Sequence, residues 1–311
     1  MIKKIGVTIA FFGAINVATA QEDQSLTLFT LGVESVQYSE DTGGGITASG
    51  KSMTNLTQRS SGYTAVNDHF GFYITTISTL SANQTQESWS ISNYGTVQAN
   101  QRKVMLTDLE LSAAWEIFDQ HFDGLQLLAG LNLNRMSFSR SGFIYSQGVQ
   151  GAATIQANNV IPGTFAKNPN GPLQQLTNPN GNTTYLSRQN GAVFEDSTTL
   201  LAEIGINYDS FFSDATGIRL LGGIRAGIPL YYYVTNSNYP NTSWTSSFQG
   251  FNLHANVGVG FQLKDNFDFV VMGSSDYRFR AKTSVDAATG GVVPNVKATI
   301  FRATAGLSWS F

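Results

Sequence analysis

The chain has 311 residues, no cysteine, 13% charged and 12% aromatic residues, and a net charge of −3. Without Cys there is neither a disulfide framework nor a thiolate metal site, and the near-neutral balance leaves no broad basic surface for nucleic acid. Length allows one or two domains, but no linker or shift in composition divides the chain after residue 20, so one domain is expected.

Lys3 and Lys4 precede an apolar stretch from Ile5 to Val17, interrupted by Thr8 and Asn16, and Ala18-Thr19-Ala20 is a small-x-small pattern. This is the layout of a secretory signal peptide cleaved after Ala20, which leaves 21–311 as the mature domain. The apolar run is short for a membrane helix, and no Cys follows that could carry a lipid. Beyond residue 20 no apolar run reaches the roughly 20 residues that a spanning helix needs. If the mature chain enters a membrane, closed strands are its route, because every backbone polar group must be paired there.

Strand patterns then follow in order. From about Leu26 to Tyr38, Phe29, Leu31 and Val33 take one face and Thr30, Gly32 and Glu34 the other, the period of two that a strand imposes. Asp41 to Gly45 breaks the run. A polar stretch between Ala48 and Val66 carries a second strand with little alternation. Asn67-Asp68-His69 turns, and Phe70, Phe72 and Ile74 open a third strand that fades near Asn83. Leu109, Leu111, Ala113, Trp115 and Ile117 alternate with Asp108, Glu110, Ser112 and Glu116; helical spacing fails because acids fall at every second position. After a turn at Asp119 to Gly124, Leu125, Leu127, Ala129, Leu131 and Leu133 stand opposite Gln126, Gly130, Asn132 and Asn134.

From Ser139 to about Phe194 no strand pattern persists. Asn168-Pro169-Asn170-Gly171 recurs as Asn178-Pro179-Asn180-Gly181, two copies of a turn-forming motif in a loop, 139–194, of unusual length. Four more strands follow. Leu200 to Tyr208 has Glu203 and Asn207 on its polar face. Ile218 to Leu230 has Arg219, Gly223 and Arg225. Phe251 to Leu263 has Asn252, His254 and Asn256, and Phe267 to Phe279 has Asp268, Asp276 and Arg278. A closing strand runs from about Val296 to Phe311.

The last eight residues are Thr304-Ala305-Gly306-Leu307-Ser308-Trp309-Ser310-Phe311. They resemble the C-terminal assembly signal of bacterial outer-membrane β-barrels, with Gly306, Trp309 and Phe311 at its three marked positions. The resemblance implies an all-β fold, a transmembrane antiparallel up-and-down barrel in a Gram-negative outer membrane. It implies as partners the barrel assembly machinery, outer-membrane lipid and lipopolysaccharide. The strand count is about 10, with 8 or 12 as alternatives; without a strand in the polar stretch between 48 and 66 the count would be odd, or two segments would merge to give eight. Ten gives strictly alternating short and long connections, the pattern of periplasmic turns and external loops. Aromatics gather at both edges: Trp115, Phe118, Phe211, Phe212, Trp309 and Phe311 at the turn end, Tyr231, Tyr232, Tyr233 and Tyr277 at the loop end. These form the expected interfacial girdles.

The polar faces must then line the lumen. Glu34, Glu110, Glu116, Glu203 and Asp276 are set against Arg219, Arg225, Arg278 and Arg302, with His254 beside Asp276. Aligning the ends of the first and last strands puts Glu34 level with Arg302, an ion pair across the closing seam. Barrels near this size have interiors filled by side chains, so the charges must pair or keep water. Ten strands and this mature length also resemble the omptin outer-membrane proteases, which implies an Asp–His site at the outer rim. His69 and His121 fall at the turn end, however, and His254 has a single acid near it. No enzyme activity, metal or cofactor is therefore expected. Arg135, Arg140, Arg280, Lys282 and Lys297 near the loop rim are candidate contacts for lipopolysaccharide phosphates. The expected function is a structural or surface-recognition barrel with a largely side-chain-filled lumen, whose extracellular loops carry any ligand recognition. The alternatives are a narrow porin-like channel and an omptin-like rim hydrolase.

Overall fold

The computed structural model describes residues 25–43, 45–67, 69–91, 95–117, 124–145, 174–177, 183–186, 192–210, 217–237, 239–264, 266–286 and 291–310. The expected signal peptide, His121, Phe311 and both Asn-Pro-Asn-Gly copies lie outside them.

The strands in chain order are β1 (Ser25–Gly43), β2 (Ile46–Gly50), β3 (Met53–Asn67), β4 (Phe70–Ser81), β5 (Thr85–Ile91), β6 (Gly95–Glu116), β7 (Leu125–Tyr145), β8 (Gln174–Thr177), β9 (Thr183–Leu186), β10 (Val193–Asp209), β11 (Ile218–Asn236), β12 (Ser243–Ser246), β13 (Gly250–Lys264), β14 (Phe267–Arg280) and β15 (Asn295–Ser310). Ten of them close a ring, β1-β3-β4-β6-β7-β10-β11-β13-β14-β15, with β15 hydrogen-bonded back to β1; every pairing is antiparallel. The polar stretch after Ala48 is thus a full wall strand, β3. Above β3 and β4 the wall continues through β2 and β5, since β2 pairs with β1 and β5 with β6.

Several boundaries differ from the sequence reading: β6 begins already at Gly95 and β11 runs on to Asn236. The 139–194 connection begins later, because β7 runs on to Tyr145 against β6, and β10 starts at Val193. Within it, β8 and β9 pair as a short hairpin. Polarity hid the upper strand segments, which rise above the apolar belt and carry mostly polar outward residues.

The polarity of the ring is inverted relative to a soluble protein. Outward residues such as Ile204 and Val257 are each 68% exposed, while Glu34 is 0% and Arg302 5% exposed. On β13 the outward apolar run from Phe251 to Leu263 covers about 40 Å of strand at roughly 3.3 Å per residue, or about 30 Å of height at a tilt near 40°. That matches the hydrocarbon core of a bilayer.

The seam explains two glycines. Gly32 lies opposite Thr304 and Gly306 opposite Thr30. A Cβ on either would overlap the backbone of the other strand, so glycine lets β1 and β15 approach closely enough to close the ring.

Candidate functional site

The interior is layered along its axis. At the turn end Leu26, Tyr63, Tyr73, Ala114 and Leu128 pack together. Beside them Arg219 donates to Asp209 at 2.6 and 2.7 Å, to Asp268 at 3.2 Å and to Ser308 at 2.7 Å, tying four strands to one guanidinium. Glu116 also sits at this end, 4.0 Å from His69.

Half-way up lies the ionic network. Glu34 stands opposite Arg302 across the seam, and Arg302 Nε donates to Glu34 Oε2 at 3.2 Å. Arg302 also reaches Asp276, whose other oxygen is 2.8 Å from His254 Nδ1. Arg278 holds Asp108 through two bonds of 3.1 and 2.5 Å, and Arg225 pairs with Glu110. Glu203 accepts twice from Asn132, at 3.1 and 3.2 Å. These groups leave a cavity of about 20 Å³, enough for roughly one water.

Above the network, Val36, Tyr38, Met53, Val104, Leu106, Met136, Phe138, Val296, Ala298 and Ile300 form a buried apolar layer from β15, β1, β3, β6 and β7. The facing side at that height is polar and also filled. Arg280 donates to Thr199 at 3.2 Å and to Asn252 at 2.7 Å, and Asn252 donates to Asn134 at 2.7 Å.

A second ionic cluster caps the layer. Glu87 accepts from Arg102 at 2.6 Å and from Arg140 Nε at 2.6 Å, and Arg140 also pairs with Glu40. Burial of Glu87 on β5, beyond the apolar belt, favours its neutral form. Arg140 and Arg102 outweigh that and hold its carboxyl at about 2, because two opposite charges within contact favour ionisation more than desolvation opposes it.

Several expected rim contacts are corrected. Arg140 and Arg280 are 6% and 3% exposed and point into the lumen. Their alternation forces this, since Arg140 shares the face of Asn134, and Arg280 that of Arg278. Arg135 and Lys297 do face outward, and Arg135 bonds Asp196 at 3.1 Å. Lys282 is exposed, with Nζ donating to Thr42 O at 2.7 Å. Tyr232 leaves the expected girdle. A register shift at Leu200/Leu201 against β11 changes the parity, so Tyr231 is exposed and Tyr232 buried. Trp309 stacks on Phe267 at 6.2 Å between ring centroids. Sequence reasoning missed Asp209 in the lumen, although it continues the alternation of Glu203 and Asn207. It also missed Glu87 and Arg102, for which the polar, broken pattern above β4 gave no signal.

Among the described residues no three of His, Asp and Glu converge as a metal site. The His254–Asp276 pair is 14% and 12% exposed by side chain and shares its acid with Arg302. It is part of the interior network.

A closed antiparallel ring with an apolar belt outside and ion pairs inside is an outer-membrane β-barrel. No protein-family model matches the chain, and no curated protein matches it by sequence. Among solved structures it is similar to the outer membrane protease OmpT from Escherichia coli, with a TM-score of 0.67 and 13% identity over 96% of this chain and 99% of that one. It also aligns with the translocator domain of the autotransporter NalP from Neisseria meningitidis (TM-score 0.38, 10% identity, 94% and 90% covered). A third alignment is to the outer membrane protein OprG from Pseudomonas aeruginosa (0.32, 12%, 93% and 96%). The first likeness gives the ten-stranded barrel fold.

Proposed function

We propose that this barrel is closed and works through the surface it presents outside the cell, as a structural or recognition element. The observation that carries this reading is the stack of packed layers at and above the ionic network; below it a cavity of about 630 Å³ is lined in part by Asn207, Asn256, Ser274 and Arg302. An apolar layer with Val36, Val104, Ala298 and Ile300 at 0% exposure covers one side of the lumen between two ionic clusters, and on the other side the hydrogen-bonded Arg280, Thr199, Asn252 and Asn134 would have to part for a hydrated ion to pass. Lipopolysaccharide phosphates would meet the outward cations Lys103, Arg135 and Lys297, which are exposed and can donate charge-assisted hydrogen bonds. Insertion by the barrel assembly machinery rests on the Gly306, Trp309 and Phe311 motif.

The reading is tested by recording refolded protein in planar bilayers, where no unitary steps are expected. Steps whose size changes with Glu203→Gln or Arg225→Gln would favour the narrow-channel reading instead. A hydrolase reading draws on the fold shared with OmpT and on the His254–Asp276 hydrogen bond. It requires peptide cleavage by intact cells that disappears in His254→Ala; we expect no cleavage in either.

A further inference from the structure

Four polar residues cluster at outward positions within the apolar belt. On β3 the outward positions include Gln58 and Ser60, and on β4 they include Thr76 and Ser78. Strand pairing brings the four together, Gln58 opposite Ser78 and Ser60 opposite Thr76. Most of their neighbours within the belt are apolar, the exceptions being Thr107 opposite Ser78 and Gly62 below Ser60. Leu31 and Phe29 of β1 stand opposite Gln58 and Ser60, and Leu109 of β6 stands opposite Thr76. On their own strands Leu56 and Leu80 lie above, 55% and 48% exposed, and Ile74 lies below, 54% exposed. All four polar side chains are at least partly exposed, and among the described residues none of them makes a side-chain hydrogen bond.

Lipid tails offer no donor or acceptor, so hydroxyls and an amide facing them lose their hydrogen bonds without compensation. A partner that supplies both donors and acceptors removes that penalty. Serine and threonine hydroxyls and the glutamine amide each donate and accept, and the patch carries no charge. It is therefore complementary to itself across a two-fold axis, as an isologous contact requires. We propose that two copies of this chain associate in the membrane through the outward faces of β3 and β4, with Gln58, Ser60, Thr76 and Ser78 hydrogen-bonded across the contact.

This inference rests on the barrel lying in lipid, and the test separates the two. The chain has no Cys, so single cysteines report cleanly: Ser60→Cys and Thr76→Cys in the patch, and Ile224→Cys on the outward face of β11 as a lipid-facing control. Folding of each variant is checked by heat-modifiable gel mobility. In isolated outer membranes under mild oxidation, a disulfide-linked band of twice the chain mass is expected from Ser60→Cys or Thr76→Cys and none from Ile224→Cys. The dimer should disappear from mild-detergent extracts of the combined variant Gln58→Leu, Ser60→Ala, Thr76→Val, Ser78→Ala. Monomers throughout, with the patch cysteines taking a lipid-soluble maleimide as fast as Ile224→Cys, would overturn the proposal. So would cross-linking of the patch to a different polypeptide. Failure of Ile224→Cys alone to react with the lipid-soluble reagent would count against the membrane placement instead.

Discussion

Arg302 concentrates the interior charge at one side chain. It bonds Glu34 on β1 and Asp276 on β14 and lies 3.8 Å from Asp108 on β6, at 5% exposure. Removing it leaves acids in the interior without their cation, a loss of about 3–5 kcal/mol for a buried pair. Arg302→Met should therefore lower unfolding stability in urea by that order. The outward pair Arg135–Asp196 has side chains 55% and 45% exposed. Solvent and salt screen it, so Asp196→Asn should change stability by about 0–1 kcal/mol. Equal effects of the two substitutions would show that the interior is open to bulk water. Ile300, fully buried in the apolar layer, should cost about 2–5 kcal/mol when cut to alanine, measured in the same titration. A change near zero would mean that the layer is not packed.

The elements were legible in the sequence to different degrees, for reasons that lie in what each strand faces. Strands with lipid on one side and lumen on the other, such as β10 and β13, keep a strict alternation that a reader can follow. For the same reason the seam partners Glu34 and Arg302 could be aligned from strand ends alone. β3 has polar residues on both faces, so its alternation is faint. β5 and the upper parts of β6 and β7 rise out of the belt, and outward positions there such as Gln86, Ser88, Gln101, Lys103, Ser137 and Ser139 are polar. The register shift at Leu200/Leu201 leaves Leu230 unpaired beside Pro229; a proline inside a sheet marks an edge or a bulge, but it does not say which way the following residues turn, so the inward turn of Tyr232 was not readable, whereas the inward turn of Arg140 follows from parity.

The capping cluster on β5 yields a pH prediction. Glu87 has its folded value lowered to about 2, below the ordinary carboxylate range. Its ionised form therefore contributes stability that is complete above the unfolded value near pH 4.3 and is lost as pH falls toward 2. Trp89 is buried on the same strand. Its fluorescence, taken as the difference between wild type and Trp89→Phe, should shift to the red over that interval and not between pH 5 and 8. In Glu87→Gln the acid-induced change should be much smaller. An unchanged acid transition in that variant would assign it to other carboxylates.

On the scale of the whole molecule, loop lengths set the orientation. The short connections, β3–β4, β6–β7, β10–β11 and β13–β14, share one end of the ring, and the long ones share the other. Protease added to intact cells should thus cleave between residues 146 and 192 and spare 118–123 and 211–216. Cleavage confined to the latter two would invert the barrel.

The central claim is that the lumen is sealed by its own side chains. Single-channel recording from refolded wild-type barrel, beside a variant with Val104, Met136 and Ile300 all changed to glycine, tests it most directly. The account predicts a silent wild type at applied voltages the bilayer tolerates and unitary steps from the variant, which shows that insertion itself was achieved. Wild-type steps as large and as frequent as those of the variant would contradict it.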